Sequence, residues 1–168
     1  MTKNLRSATD VLEHYKLNTA PIDIEKICRD LGITIQPDDF TELGKEFGHP
    51  ISGLIYFDKE KDVRVILVNK EENLMRRRFT IAHELGHYFL HFTDEDKKDG
   101  AFVSFRGSSS PRETEANKFA RDLLMPEDLV RQEYDMCFVR TSSYLADVFQ
   151  VSNKAMQIRL EELGLEYV

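Results

Sequence analysis

Apolar and polar positions follow two different periods along this chain, and the switches between them mark its elements. In Ile33-Thr-Ile35, Gly53-Leu-Ile-Tyr-Phe57 and Val63-Arg-Val-Ile-Leu-Val68, β-branched and aromatic residues crowd into short runs bounded by Pro, Gly, Asp and Asn, which predicts three strands. The polar turn from Asp58 to Asp62 makes the last two a hairpin. From about Asn73 to His91 the period lengthens: Phe79, Ala82, Gly86 and Phe89 recur at helical spacing, predicting a helix that lays this stripe on the sheet. A second helix opens at Ser110, with Pro111 at its first position and Glu113 three residues after the cap, the pattern of a capping box. Its stripe is Ala116, Phe119, Ala120, Leu123 and Leu124, and Pro126 ends it and opens another helix at Glu127-Asp128.

The remaining segments read as helices and one long connection. Ala8 to Leu31 reads as two helices broken at Ala20-Pro21, with Ile22, Ile24, Ile27 and Leu31 as apolar positions and Gly32 as a stop. Ser142 to Leu163 reads as two more, split at Val151-Ser152. Residues 93 to 110 form a polar, Gly/Ser-rich connection around Ala101-Phe-Val-Ser-Phe105, a stretch that offers one further strand. The pattern predicts an α+β fold: a small, mostly antiparallel sheet of three to four strands packed on the 73–91 helix, with further helices at both ends. We divide it into a core with amino-terminal helices, residues 1–135, and a carboxy-terminal helical segment, 136–168, packed on that core.

The predicted 73–91 helix carries His83-Glu84-Leu-Gly-His87, an H-E-x-x-H sequence. Residues four apart on a helix lie about 40° apart on one face and about 6 Å along it, so both imidazoles can reach one cation. Glu84 projects from the edge of that face, where it can take a proton from water without ligating the metal. This pattern points to zinc-dependent peptide hydrolysis, with one Zn²⁺ per chain, and Gly86 leaves room for a neighbouring element to approach between the ligands.

Catalytic zinc takes three protein groups, and three residues compete for the third place. His91 lies about 80° around and about 12 Å along the helix from His83, too far for one ion to bind both easily, and suits the helix end better. The longer H-E-x-x-H-x-x-G-x-x-H pattern fails, since Leu90 and Thr93 stand where its Gly and last His would be. Glu113 and Glu115 both open the next helix. Capping logic occupies Glu113 at the Ser110 cap and frees Glu115, whereas the helical wheel sets Glu115 about 100° from the apolar stripe.

Composition narrows the setting. Of the 168 residues 41% are hydrophobic and 32% charged, enough for one buried core, and no run nears the ~18 apolar residues of a membrane span. Met1 to Leu12 is polar, without an apolar signal core. Cys28 and Cys137 are far apart and outside any C-x-x-C pattern, which argues against a disulfide framework and for a reducing cytoplasm. A net charge of −7 repels a phosphate backbone and weighs against direct nucleic-acid binding.

Arg78-Phe-Thr-Ile-Ala-His-Glu-Leu-Gly-His87, then Tyr88-Phe-Leu-His91, and Glu115-Ala-Asn-Lys-Phe-Ala-Arg-Asp-Leu-Leu-Met-Pro126 closely resemble the ImmA/IrrE family of zinc metallopeptidases. Ile24-Glu-Lys-Ile27 with Leu31-Gly32-Ile33, the Gly53-Leu-Ile55 strand and the Val65 to Asn69 strand also look like that family, so most of the chain is covered. The resemblance implies His83 and His87 as zinc ligands, Glu84 as base, and Glu115, immediately before Ala-Asn, as third ligand. Thermolysin-like enzymes place an aspartate four residues after their glutamate ligand, where this chain has Phe119. The resemblance also implies a protein substrate or partner, commonly a helix-turn-helix repressor in a mobile-element, stress-response or toxin–antitoxin-like setting.

Leu145 to Leu165 has the cadence of a helix-turn-helix in which Asn153, Lys154 and Gln157 would face DNA. Only Lys154 and Arg159 are basic in its second helix, while Glu161, Glu162 and Glu166 crowd its end, which favours a helical hairpin that closes the core. The leading expectation is a cytoplasmic zinc endopeptidase of narrow specificity acting on a repressor. Its rival is a non-enzymatic DNA- or protein-binding regulator with a metallopeptidase-like core, which would have no need of a base at position 84. For presenting an extended substrate, the expected edge strand is Gly53 to Phe57.

Overall fold

In the computed structural model, which describes residues 5–168, the run Val63–Asn69 is the hub of a four-stranded sheet. Met1 to Asn4, the start of the polar segment noted above, lie outside the described residues. The strands are β1 (Ile33–Asp38), β2 (Ile51–Asp58), β3 (Val63–Asn69) and β4 (Phe102–Phe105), in the order β1-β3-β2-β4. β3 pairs parallel with β1, Ile35 opposite Ile66, and antiparallel with β2, Tyr56 opposite Val65. β4 adds antiparallel to the outer side of β2. The strand expected at Ala101–Phe105 therefore forms, and two of the three pairings are antiparallel. β2 is interior, however, and the edge beside the site is β4, because the 93–110 connection folds back onto β2 and covers the side that hairpin reasoning left open.

β3 is buried continuously from Arg64 to Val68 because both faces of the sheet are covered. Ile55, Ile66 and Val68 join the main core beneath α4 (Leu74–Leu90), whereas Val65 and Leu67 pack with Leu54 and Phe40 on the other face. That second face is closed by α3 (Phe40–Phe47), an unforeseen helix whose Asp39 cap and Gly48 stop delimit only eight residues. α4 begins where Asn73 Oδ1 accepts from the Arg76 amide at 3.0 Å and ends at His91. Its Leu85 and Phe89 are buried, each contributing about 1.5–3 kcal/mol.

Two features set the position of everything near the site. α6 (Pro111–Leu124) crosses α4 so closely that a Cβ at Gly86 would lie 3.1 Å from Ala116 Cα, 3.2 Å from its carbonyl oxygen and 3.3 Å from its Cβ. The approach anticipated at Gly86 is thus a backbone-to-helix contact with α6. Arg64, buried on β3, donates to the carbonyl oxygens of Asp96 (3.0 Å), Lys97 (2.8 Å) and Gly100 (2.8 Å). This clamp ties the short helix α5 (Asp96–Asp99) to the sheet immediately before β4.

The other helices close the core. α1 (Ala8–Tyr15) packs on α6, and α2 (Ile24–Asp30) lies against β1 and α4. α7 (Glu127–Met136), α8 (Ser142–Phe149) and α9 (Asn153–Glu162) contribute Val130, Leu145, Phe149, Met156 and Leu160 to the main cluster. Arg159 is buried there, donating from Nε to the Met125 carbonyl at 3.0 Å and paired with Asp122, so α9 does not present it to a polyanion. No helix among the described residues is long and apolar enough to cross a membrane.

Candidate metal centre

His83 and His87, one turn apart on α4, point their Nε2 atoms together at a separation of 3.1 Å. The third group to reach them is Glu113 in the first turn of α6: Oε2 lies 3.0 Å from His83 Nε2 and Oε1 3.2 Å from His87 Nε2. All three side chains are buried. Two imidazole nitrogens and a carboxylate oxygen converge here, a donor set that fits a divalent metal.

Glu115 is elsewhere. Its side chain is 61% exposed and its Oε2 lies 2.8 Å from His91 Nε2. The sequence expectation placed Glu115 with His83 and His87, and the physical reason for the difference lies in the cap. Ser110 Oγ does accept from the Glu113 amide at 3.4 Å, but the Glu113 carboxylate turns inward to the imidazoles instead of returning to the cap. Glu113 precedes Ala116 by three positions and Ala120 by seven, so it extends the buried stripe of α6, from which Glu115 diverges. Periodicity therefore contained the signal for Glu113, which capping logic overrode.

Each imidazole has a backing group. His83 Nδ1 donates to Asn117 Oδ1 at 2.9 Å, leaving a lone pair on Nε2. Asn117, four residues after Glu113 on the same face of α6, went unmarked in the sequence, as did Phe102 of β4, whose ring stacks on His87 with centroids 3.7 Å apart. His87 Nδ1 lies 2.8 Å from His91 Nδ1.

Electrostatics separate the four titratable groups. For Glu113, burial pushes upward, but the hydrogen bonds and charges of His83 and His87 win and take it down to about 2. Burial likewise opposes the charged form of both histidines. Glu113, Glu84 and Asn117 overcome it at His83, which is raised, while His87 is lowered because burial and the two neighbouring imidazoles outweigh Glu113.

Glu84 is the reverse case. It is completely buried, neither carboxylate oxygen has a hydrogen-bond partner among the described residues, and burial lifts it to about 7 against the charge of His83. Its seat exists because β2 carries no side chain at Gly53: a Cβ there would collide with Glu84 Oε1. Beside it the β2–β4 register slips between Ile51 and Gly53, and Ser52 Oγ donates to the Ser104 carbonyl at 3.0 Å.

A cleft of about 720 Å³ leads from His83 and Glu113 past Phe79, Thr80 and Asn117. It runs on to the end of β4 at Phe105 and the first turns of α9 at Lys154 and Ile158. Lys154, read as a possible DNA contact, thus faces this cleft.

Residues 28–161 match the IrrE N-terminal-like domain, a peptidase family. Over 116 residues the chain is 30% identical to the metallopeptidase ImmA of Bacillus subtilis, covering 67% of this chain and 64% of ImmA. It is 36% identical to an immunity region protein of Bacillus phage phi105, over 50% of this chain and 51% of that one. It is also 36% identical to the radiation response metalloprotease IrrE of Deinococcus radiodurans, over 45% of this chain and 23% of IrrE. The chain thus spans less than two thirds of each relative. A Mycobacterium tuberculosis transcriptional regulator shares the fold, with a TM-score of 0.56 at 18% identity over 91% of this chain and 45% of that one. An H-E-x-x-H helix crossed by a carboxylate-bearing helix, in a chain whose residues 28–161 match that domain, makes this protein a member of the ImmA/IrrE metallopeptidase family.

Proposed function

We propose that this chain is a zinc-dependent endopeptidase of narrow specificity that acts in the cytoplasm on a helix-turn-helix transcriptional repressor, in a regulatory or mobile-element setting. The observation that carries the reading is the convergence of His83, His87 and Glu113 beside a fully buried Glu84 that has no hydrogen-bond partner among the described residues. A buried, unpaired carboxylate costs stability, and a binding module would have no use for it. In this reading His83, His87 and Glu113 hold one Zn²⁺ per chain, which when bound supplies Lewis acidity toward the scissile carbonyl and acidifies water.

The chain's own groups do the rest. Glu84, lifted toward neutrality, takes the proton of the attacking water on a carboxylate oxygen and returns it to the leaving amine. Asn117 fixes His83 with its Nε2 lone pair toward the site. The exposed edge of β4 offers backbone groups to an extended peptide lying in the cleft, in place of the interior β2. The repressor is suggested by the family and by a relative named for a phage immunity region.

The test is incubation of the purified protein with a repressor encoded beside it, with zinc content measured in parallel. Glu84→Gln is expected to hold zinc near one per chain and to lose cleavage by at least about a hundredfold. Retained cleavage would remove Glu84 from its role, and absence of zinc in the unmutated protein would remove the reading itself.

A further inference from the structure

The carboxylate that the metal does not need has a place in the structure. His91, at the end of α4, is 7% exposed and uses both ring nitrogens: Nδ1 lies 2.8 Å from His87 Nδ1 and Nε2 lies 2.8 Å from Glu115 Oε2. Two nitrogens facing each other share one proton between them, and Glu115 as a carboxylate can only accept. If His87 offers its Nε2 lone pair to a metal, Nδ1 must carry the hydrogen and donate it to His91 Nδ1. His91 must then carry its own hydrogen on Nε2 and donate that to Glu115. The directions of both bonds follow from the two ends. Phe102 stacked on His87 closes the ring's open face, so His91 is the group that holds the imidazole in plane.

We infer that His91 and Glu115 form an outer relay that orients His87 and fixes its tautomer, with Glu115 as a positioning residue and not a ligand. The relay rests on the assignment of His83, His87 and Glu113 as the metal-binding groups. It is the counterpart of the single Asn117 contact behind His83, but longer, and it ends on an exposed carboxylate at the surface of α6. Metal-bound histidines commonly depend on such partners for roughly 10- to 100-fold in affinity.

Zinc affinity of the purified chain, measured by competition with a chromophoric chelator, tests this together with the visible spectrum of the Co²⁺-loaded protein. Glu115→Ala is expected to weaken zinc binding roughly 10- to 100-fold and to shift the Co²⁺ bands, with the thermal midpoint of the metal-free protein unchanged because Glu115 is exposed. Glu115→Gln, which keeps an acceptor for His91 Nε2–H, is expected to recover most of the affinity, and His91→Phe to match Glu115→Ala. Affinity and spectrum unchanged in Glu115→Ala would overturn the relay while leaving the three-ligand site intact. A separate arm guards the underlying site: Glu113→Ala should abolish stoichiometric binding. Tight zinc in Glu113→Ala with none in Glu115→Ala would make Glu115 the ligand, overturning both.

Discussion

Replacing Gly86 by alanine tests whether the crossing of α4 and α6 is what builds the metal centre. The new methyl would meet three atoms of Ala116, at 3.1, 3.2 and 3.3 Å, two of them backbone. Comfortable carbon contacts lie at about 3.5–4.0 Å, so α6 must retreat by on the order of half an ångström, with no flexible side chain to absorb the change. Overpacking of this kind costs about 1–3 kcal/mol, while exchanging glycine for alanine inside a helix returns about 1 kcal/mol. Strain therefore wins by about 1 kcal/mol, lowering the thermal midpoint of the metal-free protein by about 2–4 °C. The larger effect falls on the metal. Glu113 sits three residues before Ala116 on the helix that moves, and metal–ligand distances tolerate only about 0.2 Å, so zinc affinity should fall at least about tenfold. Calorimetry of the metal-free protein and chelator competition measure the two quantities separately. A raised midpoint with unaltered zinc affinity would refute the reasoning, since helix propensity would then have gone unopposed and the close approach would not fix Glu113.

Two further outcomes follow from buried groups. Gly53→Ala places a methyl where Glu84 Oε1 now lies, so Glu84 must turn away; cleavage should drop about a hundredfold while zinc content stays at the unmutated level, and undiminished cleavage would show that the seat on β2 is dispensable. Cys28 is 1% exposed, and burial followed by the charge of Glu25 pushes its thiol up to about 12, so at pH 8 it remains protonated. A thiol-specific chromogenic reagent at pH 8 should titrate the half-buried Cys137 in the native protein and Cys28 only after unfolding; two thiols reacting at one fast rate would refute the packing of α2.

The parts of this fold legible in the sequence were those in which one local signal had no competitor. Asn73 to His91 carried a stripe and a motif at the same period, and it forms α4 within a residue at each end. The Ser110 cap and Pro111 gave the start of α6. The misses came where two local signals disagreed or where the answer lay across the fold. Glu113 was placed by a cap rule that is correct for its amide and wrong for its carboxylate, because two imidazoles on another helix are better partners than a backbone N–H. α3 has only eight residues and an internal Gly44, too little periodicity to stand out. β2 read as an edge because the strand that covers it follows a long polar connection, and nothing local to β2 records that pairing. Asn117 and Gly53 matter through contacts 34 and 31 residues away in sequence, with His83 and Glu84 respectively, beyond the reach of any periodic pattern.

The clamp made by Arg64 divides the 93–110 connection into two stretches that differ in how freely they can be rebuilt. Asp96, Lys97 and Gly100 give their carbonyl oxygens to one buried guanidinium, so any change of length between them would unseat β4 and, with it, the Phe102 ring that covers His87. Beyond β4, Gly107, Ser108 and Ser109 are exposed and outside the clamp, and the first two lie at the rim of the cleft. That second stretch is where chain length can drift among relatives or be altered by design: insertions there would reshape the wall of the cleft while leaving His83, His87 and Glu113 in place.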